Sequence, residues 1–375
     1  MTRIIVTANK LNKRKAIPSS FPDSKSIIGI VFKGFEFEAT EVTNVPNPNL
    51  GKWYRDNDGF FYWGGGLEVA EKPVELFEED VDERKFDWGF LDLNIQTLWK
   101  YSKGEGIRVA VLDSGLTISD DFPGKNQLSF YNALTGSQNI EGCTDTNGHG
   151  TNCSGILCAQ GRTIYGVAPN ISLQIIKVNN AADEYKTDII LRALEKLVND
   201  LEPDIISMSF CINEDENLLK IHAAIQQAYK KNIVILASAG NSGSVSFPVN
   251  NYPASFPECL SIGGINRSGL RSRFSTKSDS LDLMAPGENI SSIATPGAPL
   301  NGTSFAVPFV AGVTAILKSM ARKKNINPTV SDFHDLFKQT ASKNIPGNKY
   351  SITDYGWGII DPPAALKQFI SKYSL

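Results

Sequence analysis

Three short segments each set a reactive side chain among glycines at what reads as an element boundary. In Val109-Ala110-Val111-Leu112-Asp113-Ser114-Gly115 an apolar run ends in a carboxylate, and a glycine then lets the chain turn. In Asn147-Gly148-His149-Gly150-Thr151 a histidine lies between two glycines, with little side-chain crowding around it. In Asn301-Gly302-Thr303-Ser304-Phe305-Ala306-Val307-Pro308 a turn runs into a helix of small residues, which puts Ser304 near a helix N-terminus, where the dipole favours negative charge. Each has a plain structural reading on its own, as an Asp or Ser capping a turn or helix. Of the three histidines, His222 falls in a helical pattern and His334 in a polar stretch, and both read as solvated surface groups. In combination the three segments supply a mechanism. A serine hydroxyl is a weak nucleophile at neutral pH and needs a base within hydrogen-bond reach. A neutral imidazole is that base, and a buried carboxylate fixes its tautomer and steadies the imidazolium. The tetrahedral intermediate then needs donors aimed at its oxyanion.

The elements that must position these groups are legible from residue 88 onward. Val109–Leu112 is a short, wholly apolar run, as expected of a strand buried on both faces. Ile205-Ile206, Ile233–Leu236 and Leu260-Ser261-Ile262 read the same way. Between them, Ile190, Leu194, Leu197, Val198 and Leu201 fall on one helical face, and so do Leu218, Ile221, Ile225 and Ala228. Strand–helix alternation implies an α/β fold, a parallel sheet flanked by helices, with ligand sites beyond the carboxyl ends of the strands.

Residues 1–70 have a different texture. Phe35-Glu36-Phe37-Glu38-Ala39-Thr40 alternates with period two, and Asn57-Asp58-Gly59 between Trp53-Tyr54 and Phe60–Trp63 signals a hairpin. Residues 71–87 hold Glu75, Glu78, Glu79, Asp80, Asp82 and Glu83 with few large apolar groups, and read as a solvated linker. The expected organisation is thus a small all-β domain over 1–70, an acidic linker over 71–87 and an α/β domain over 88–375.

The chain has 375 residues, 41% hydrophobic and 21% charged, which argues against disorder or a fibrous repeat. With 37 basic and 40 acidic residues the formal net charge is −3, which gives no electrostatic reason to expect nucleic acid as a partner. No apolar run approaches the ~18 residues of a membrane span. The N-terminus has basic residues but no apolar core of a Sec signal. The five cysteines are scattered, odd in number and form no CxxC pair, so a zinc site is not expected. Unpaired thiols without a signal point to a reducing, cytoplasmic compartment, although a non-Sec export route leaves no such mark.

From about residue 88 the chain resembles the subtilases, the subtilisin-like serine proteases. The order Asp, His, Ser is theirs. Asp145-Thr-Asn-Gly-His149-Gly-Thr resembles the family's histidine motif, and Ala239-Gly240-Asn241 the segment whose asparagine forms part of the oxyanion hole. Met284-Ala285-Pro286-Gly287 and Gly302-Thr303-Ser304 with Pro308 resemble the serine region. Tyr355–Asp361 with Ala364-Ala365-Leu366 resembles the closing strand and helix. The resemblance implies an endopeptidase acting on protein or peptide substrates, in which Ser304 attacks, His149 is the base, Asp113 orients it, and Asn241 with the Ser304 amide binds the oxyanion. It implies that Ser207, Ser209, Phe210, Ala239 and Gly240 line the substrate, by strand addition to Ser207-Met208-Ser209 and the residues after it. Phe210 would be an apolar wall, and Cys211 stands where the family usually has a glycine, so an apolar residue is expected before the cut. Cys153 resembles the free thiol of the proteinase K branch, beneath the catalytic histidine, and implies inhibition by mercurials. The segment Gly155–Gly166 is shorter than the family's tight calcium loop, so no cofactor is expected and calcium has no recognisable loop.

The front segment resembles a bacterial SH3-like barrel, through Leu11-Asn12-Lys13-Arg14, Ile28–Gly34, Trp53-Tyr54 and Gly59–Trp63. That resemblance implies a ligand such as a peptidoglycan peptide or a protein segment, held by aromatic residues. Of Trp53, Tyr54, Phe61 and Trp63, about half should be core, since strand side chains alternate. Two whole-protein readings follow: an active protease with an accessory targeting barrel, or a latent protease gated by that front domain.

Overall fold

The front segment folds as strands, as its alternation requires. In the computed structural model the described residues are 2–6, 10–18, 27–32, 36–46, 49, 51–56, 59–69, 82–180, 182–243, 245, 247–295, 297–348 and 350–375. The chain divides into two units, Met1–Glu79 and Asp80–Leu375. The first holds β1 (Thr2–Val6), β2 (Lys10–Arg14), β3 (Ile27–Phe32), β4 (Glu36–Glu41), β5 (Trp53–Asp56), β6 (Phe61–Trp63) and β7 (Leu67–Val69). They form one antiparallel sheet in the order β3-β2-β6-β5-β4-β1-β7. The pairings among the described residues do not close this sheet into a ring. The expected hairpin is present, with Trp53 opposite Trp63 and Tyr54 opposite Tyr62, and the Asp56 carboxylate accepts from the Phe60 amide and the Tyr62 hydroxyl, both at 2.8 Å. Asn57 and Asp58 of its turn lie outside the described residues. Trp53 and Tyr54 are both buried, Phe61 is half-buried and Trp63 is 41% exposed.

The second unit is built on seven strands: β8 (Arg108–Asp113), β9 (Leu128–Asn132), β10 (Ser172–Lys177), β11 (Ile205–Met208), β12 (Val234–Ser238), β13 (Cys259–Ile265) and β14 (Leu283–Pro286). All pair in parallel, in the order β14-β13-β12-β11-β8-β10-β9. The reversal of strand order beside β8 puts a crevice at the carboxyl ends of β8 and β11, where such sheets bind ligands. A short antiparallel pair, β15 (Glu288–Ile290) with β16 (Leu300–Asn301), follows.

Nine helices among the described residues cover the sheet: α1 (Trp88–Asp92), α2 (Gln96–Trp99), α3 (His149–Cys158), α4 (Thr187–Lys196), α5 (Leu218–Lys230), α6 (Thr303–Lys323), α7 (Val330–Thr340), α8 (Ile352–Tyr355) and α9 (Pro362–Tyr373). Strand alternation divides the core into two layers. Val109 and Val111 of β8 pack with α3, α6, α7 and α9, whereas Ala110 and Leu112 pack with α4 and α5. Both faces are therefore apolar, and this is why β8 reads as an unbroken hydrophobic run. The helix α6 is buried from Thr303 to Ala321. It is long and apolar enough to cross a membrane by those measures alone, a point the sequence reading overlooked, but here it is the core helix.

Two expectations change. Glu75–Asp80 of the expected linker lie outside the described residues, but its last residues belong to the second unit. Phe86 is buried, stacked on Phe90 at 4.2 Å and edge-on to Trp99, and Asp87 caps α1 through the Gly89 amide at 2.7 Å. Acidic neighbours disguised an aromatic anchor. His334, expected at the surface, is largely enclosed between Tyr229 and Trp357, its Nε2 has no partner among the described residues, and burial draws its pKa down to about 4.

Candidate active site

Asp113 ends β8 and His149 opens α3, so the strand terminus and the helix start must nearly touch. Gly150 makes that approach possible: a Cβ there would lie 2.4 Å from the Gly115 carbonyl oxygen and 3.0 Å from the Asp113 Cβ. Asp145 holds the start of α3 in place. Its carboxylate accepts from the Gly148 and Thr151 amides at 3.0 and 2.9 Å, from the Thr151 hydroxyl, and from the Ser114 hydroxyl at 2.8 Å. Ser114 Oγ in turn accepts from the Gly150 amide at 2.9 Å. Burial works against ionisation of Asp145, but these donors win and keep its pKa below the usual carboxylate value.

Within this frame His149 Nδ1 lies 2.7 Å from Asp113 Oδ1, and that oxygen also accepts from the Ser114 amide at 2.7 Å. Asp113 is almost fully buried. Desolvation alone would lower the His149 pKa, but the adjacent carboxylate charge outweighs it and raises the imidazole well above its ordinary value. A second contact comes from a residue the sequence gave no reason to single out. Tyr185, between β10 and α4, places its hydroxyl 3.4 Å from Asp113 Oδ1 and stacks its ring on Phe210 at 4.8 Å.

Ser304 is the second residue of α6. Its hydroxyl donates to the Ser209 carbonyl oxygen at 2.9 Å, and no hydrogen bond joins it to His149 among the described residues. Cys153, one turn into α3, lies between the two: its sulfur is 3.9 Å from His149 Nδ1 and 3.7 Å from the Ser304 carbonyl oxygen. Asp113, His149 and Cys153 offer ligand-type atoms all within 4.8 Å of one another, a grouping that the Asp–His pairing itself explains.

Asn241 follows β12 through Gly240, whose φ of +96° and lack of space (a Cβ would lie 2.4 Å from Asn251 Nδ2) admit only glycine. The Asn241 amide is held in one orientation. Its Oδ1 accepts from the Thr303 amide at 3.0 Å and the Thr303 hydroxyl at 3.1 Å, which turns Nδ2 away from them, toward the Gly302 side. Thr303 is a residue whose importance was hidden in a motif quoted for its serine.

The expected substrate-lining residues separate into two groups. Ser207 lies inside β11, paired with Val111 on one side and Leu236 on the other, so it has no free edge for an added strand. Ala239 and Gly240 likewise spend their backbone groups internally, on Ile262, Asn251, Thr303 and Thr276. The residue types of a strand do not tell whether its edge is free, and this misplaced Ser207. Ser209 and Phe210 come after the strand ends. Phe210 is buried beneath Tyr185 rather than standing as a bare wall, while Cys211 is exposed and lines a cavity of about 660 Å³ with Tyr185, Lys186 and Asp215.

The short segment after α3 is pinned to the loop that follows β8. The Asp121 carboxylate accepts from the Arg162 and Thr163 amides at 2.8 and 3.0 Å and ties the two together.

Comparison with known proteins agrees with this architecture. Residues 104–358 match the model of the subtilase family. The intracellular serine protease of Paenibacillus polymyxa is 31% identical over 288 residues, spanning 73% of this chain and 85% of that protein. Subtilisin E of Bacillus subtilis (strain 168) is 33% identical over 268 residues, spanning 70% of this chain and 66% of that protein. The crystal structure of MycP1 with the N-terminal propeptide removed superposes with a TM-score of 0.63 at 27% identity, covering 75% of this chain and 96% of that one. A parallel sheet flanked by helices, with Asp113, His149 and Ser304 in this order and a family match over more than half the chain, means that the protein belongs to the subtilase family, the subtilisin-like serine endopeptidases.

Proposed function

We propose that the chain hydrolyses peptide bonds with Ser304 as nucleophile, His149 as general base and then acid, Asp113 as the group that orients His149, and Asn241 Nδ2 with the Ser304 amide as oxyanion donors. The observation that carries this reading is the 2.7 Å bond from Asp113 Oδ1 to His149 Nδ1, which leaves Nε2 as the nitrogen to take a proton. For attack, Ser304 Oγ must leave the Ser209 carbonyl and turn toward Nε2, a rotation about a single side-chain bond. The hydroxyl proton passes to His149 as the oxygen bonds to the scissile carbonyl. The same proton then goes to the leaving amine, and water completes the second half of the cycle. Ser209 and Phe210, beyond the end of β11, are the residues that would receive the substrate backbone, and the stacked Phe210–Tyr185 pair supports an apolar residue before the cut.

We read the front unit as an accessory SH3-like module. Its aromatic hairpin, with Trp63 41% exposed, supports a bound peptide as its ligand, from peptidoglycan or protein. We place the enzyme in the cytoplasm, without a metal cofactor.

The test is Ser304→Ala beside the parent chain, with casein hydrolysis and self-cleavage followed together. A loss of about a millionfold in kcat is expected, a magnitude borrowed from subtilisin, which is itself a member of this family. Residual hydrolysis within tenfold of the parent would end the assignment.

A further inference from the structure

A second constellation of charge lies at the opposite end of the sheet from Ser304. Arg108 opens β8, Asp204 precedes β11, and Lys318 and Arg322 sit one turn apart near the end of α6. With Glu202 and Lys231 they line a cavity of about 300 Å³. Ser304 and Lys318 share α6, about 21 Å apart along its axis at the helical rise per residue, so the cavity is separate from the catalytic crevice.

The charges there do not cancel. Asp204 is fully used: Arg322 reaches both its oxygens, and Oδ2 also accepts from the Arg108 amide at 2.9 Å. Glu202 pairs with Lys231 at 2.8 Å, and Lys231 also donates to the Val198 carbonyl oxygen. Two cations remain. The Arg108 side chain is exposed, makes a 3.4 Å contact with the Leu201 carbonyl oxygen and acts on Glu202 through its charge alone. Lys318 is 4% exposed, and among the described residues its ammonium has no hydrogen-bond or ion-pair partner; it lies over the face of Phe333 at 5.5 Å and feels the charge of Asp204 from beyond ion-pair distance. Asp204 is already held by Arg322, so Lys318 keeps an enclosed ammonium with no direct ion pair, which is costly where a leucine or methionine could supply the same apolar surface. Burial brings its pKa down to about 8, so at neutral pH the group still carries charge.

We propose that this cavity binds a small polyvalent oxyanion of the phosphate type, with Lys318 as its buried anchor and Arg108 closing over it from the rim. Three donors on a lysine and five on an arginine match an ion made of acceptors only. The cavity has room for such an ion together with bridging water.

The test uses the full chain and inorganic phosphate, with chloride at matched ionic strength as the reference. Thermal denaturation should rise by roughly 2–4 °C at tenfold excess over Kd, as mass action on the folded state requires. Phosphate also stabilises proteins generally by exclusion from their surface, so the informative quantity is the phosphate-dependent increment in variants. Lys318→Met should abolish it, and Arg108→Gln, on the exposed rim and safe for folding, should weaken phosphate binding about tenfold by calorimetric titration. Casein hydrolysis by Arg108→Gln should match that of the parent. An increment absent from the parent chain, or equal in the parent and in Arg108→Gln, would overturn the proposal.

Discussion

Ser304 and Ser209 bond each other twice: the Ser304 hydroxyl donates to the Ser209 carbonyl oxygen at 2.9 Å, and the Ser209 hydroxyl donates to the Ser304 carbonyl oxygen at 2.8 Å. The second bond is possible because of Pro308. Proline has no N–H, so the Ser304 carbonyl, four residues earlier in α6, has no helical donor. That freed carbonyl is shared by Ser209 Oγ and, at 3.7 Å, by Cys153 Sγ. The thiol is therefore wedged between the Ser304 backbone and the His149 ring. Burial first, and then the Asp113 charge, raise its pKa above the ordinary thiol value, so it rests protonated and is not itself a nucleophile at neutral pH. A mercurial bound to Cys153 would push against both neighbours. We expect stoichiometric modification to remove most of the proteolytic rate and Cys153→Ala to keep activity while becoming insensitive. A parent enzyme fully active after verified modification of Cys153 contradicts this arrangement.

The Asp113–His149 pair sets the pH dependence. Desolvation lowers the His149 pKa, but the carboxylate wins and raises it above the ordinary 6.5. The proposed mechanism needs the neutral ring, so kcat/KM should fall as pH drops through this raised value, and the enzyme should work best in alkaline solution. Asp113→Asn should move that acid limb downward and reduce kcat by about 10⁴. Stability follows the opposite course. The charged pair stabilises the fold in full below the unfolded histidine pKa, and the gain is lost as pH rises through the folded one. The destabilisation caused by Asp113→Asn should thus be largest in acid and fade in alkali. Denaturant melts at several pH values, beside rate profiles, decide the matter, and an acid limb unmoved by Asp113→Asn would refute it.

Much of this was legible in the sequence, for identifiable reasons. Val109–Leu112 reads as a two-sided strand because both faces are apolar, and the glycines around His149 mark a place where backbones must approach closely. Ser207 was misplaced because its side chain says nothing about whether its strand edge is free; that depends on β8 and β12, which are remote in sequence. Tyr185 was invisible because it stands in a polar loop, and its contact with Asp113 exists only once β8 and β10 pair. His334 looked solvated from its polar neighbours, whereas Tyr229 and Trp357, which enclose it, come from other elements.

In the proposed mechanism Asn241 is an oxyanion donor, and Thr303 fixes its aim. Removing it as Asn241→Leu should cost about 10²–10³ in kcat with little change in KM, because the oxyanion exists only on the way to the intermediate; the figure comes from a subtilase asparagine and is borrowed here. Thr303→Ala keeps the amide but deletes one of the two bonds to its Oδ1. Its effect should lie in kcat too, at several-fold rather than several hundredfold. A change carried mainly by KM in either variant would mean that Asn241 binds substrate in its ground state.

Phe86 decides how the front unit can be removed without harming the rest. Its ring stacks on Phe90, meets Trp99 edge-on and lies 5.1 Å from Tyr165, while the Lys85 carbonyl accepts from the Tyr165 amide at 2.9 Å. A catalytic fragment begun at Trp88 would lose this aromatic plug and the Asp87 cap together. One begun at Asp80 retains both. We expect Phe86→Ala in the full chain to destabilise the second unit by about 3–5 kcal/mol, and the longer fragment to hydrolyse an unstructured protein at the rate of the full chain. If the front unit instead holds the enzyme in check, the longer fragment would be the faster of the two. A fragment lacking Phe86 would give no answer, because its lower rate would reflect lost stability.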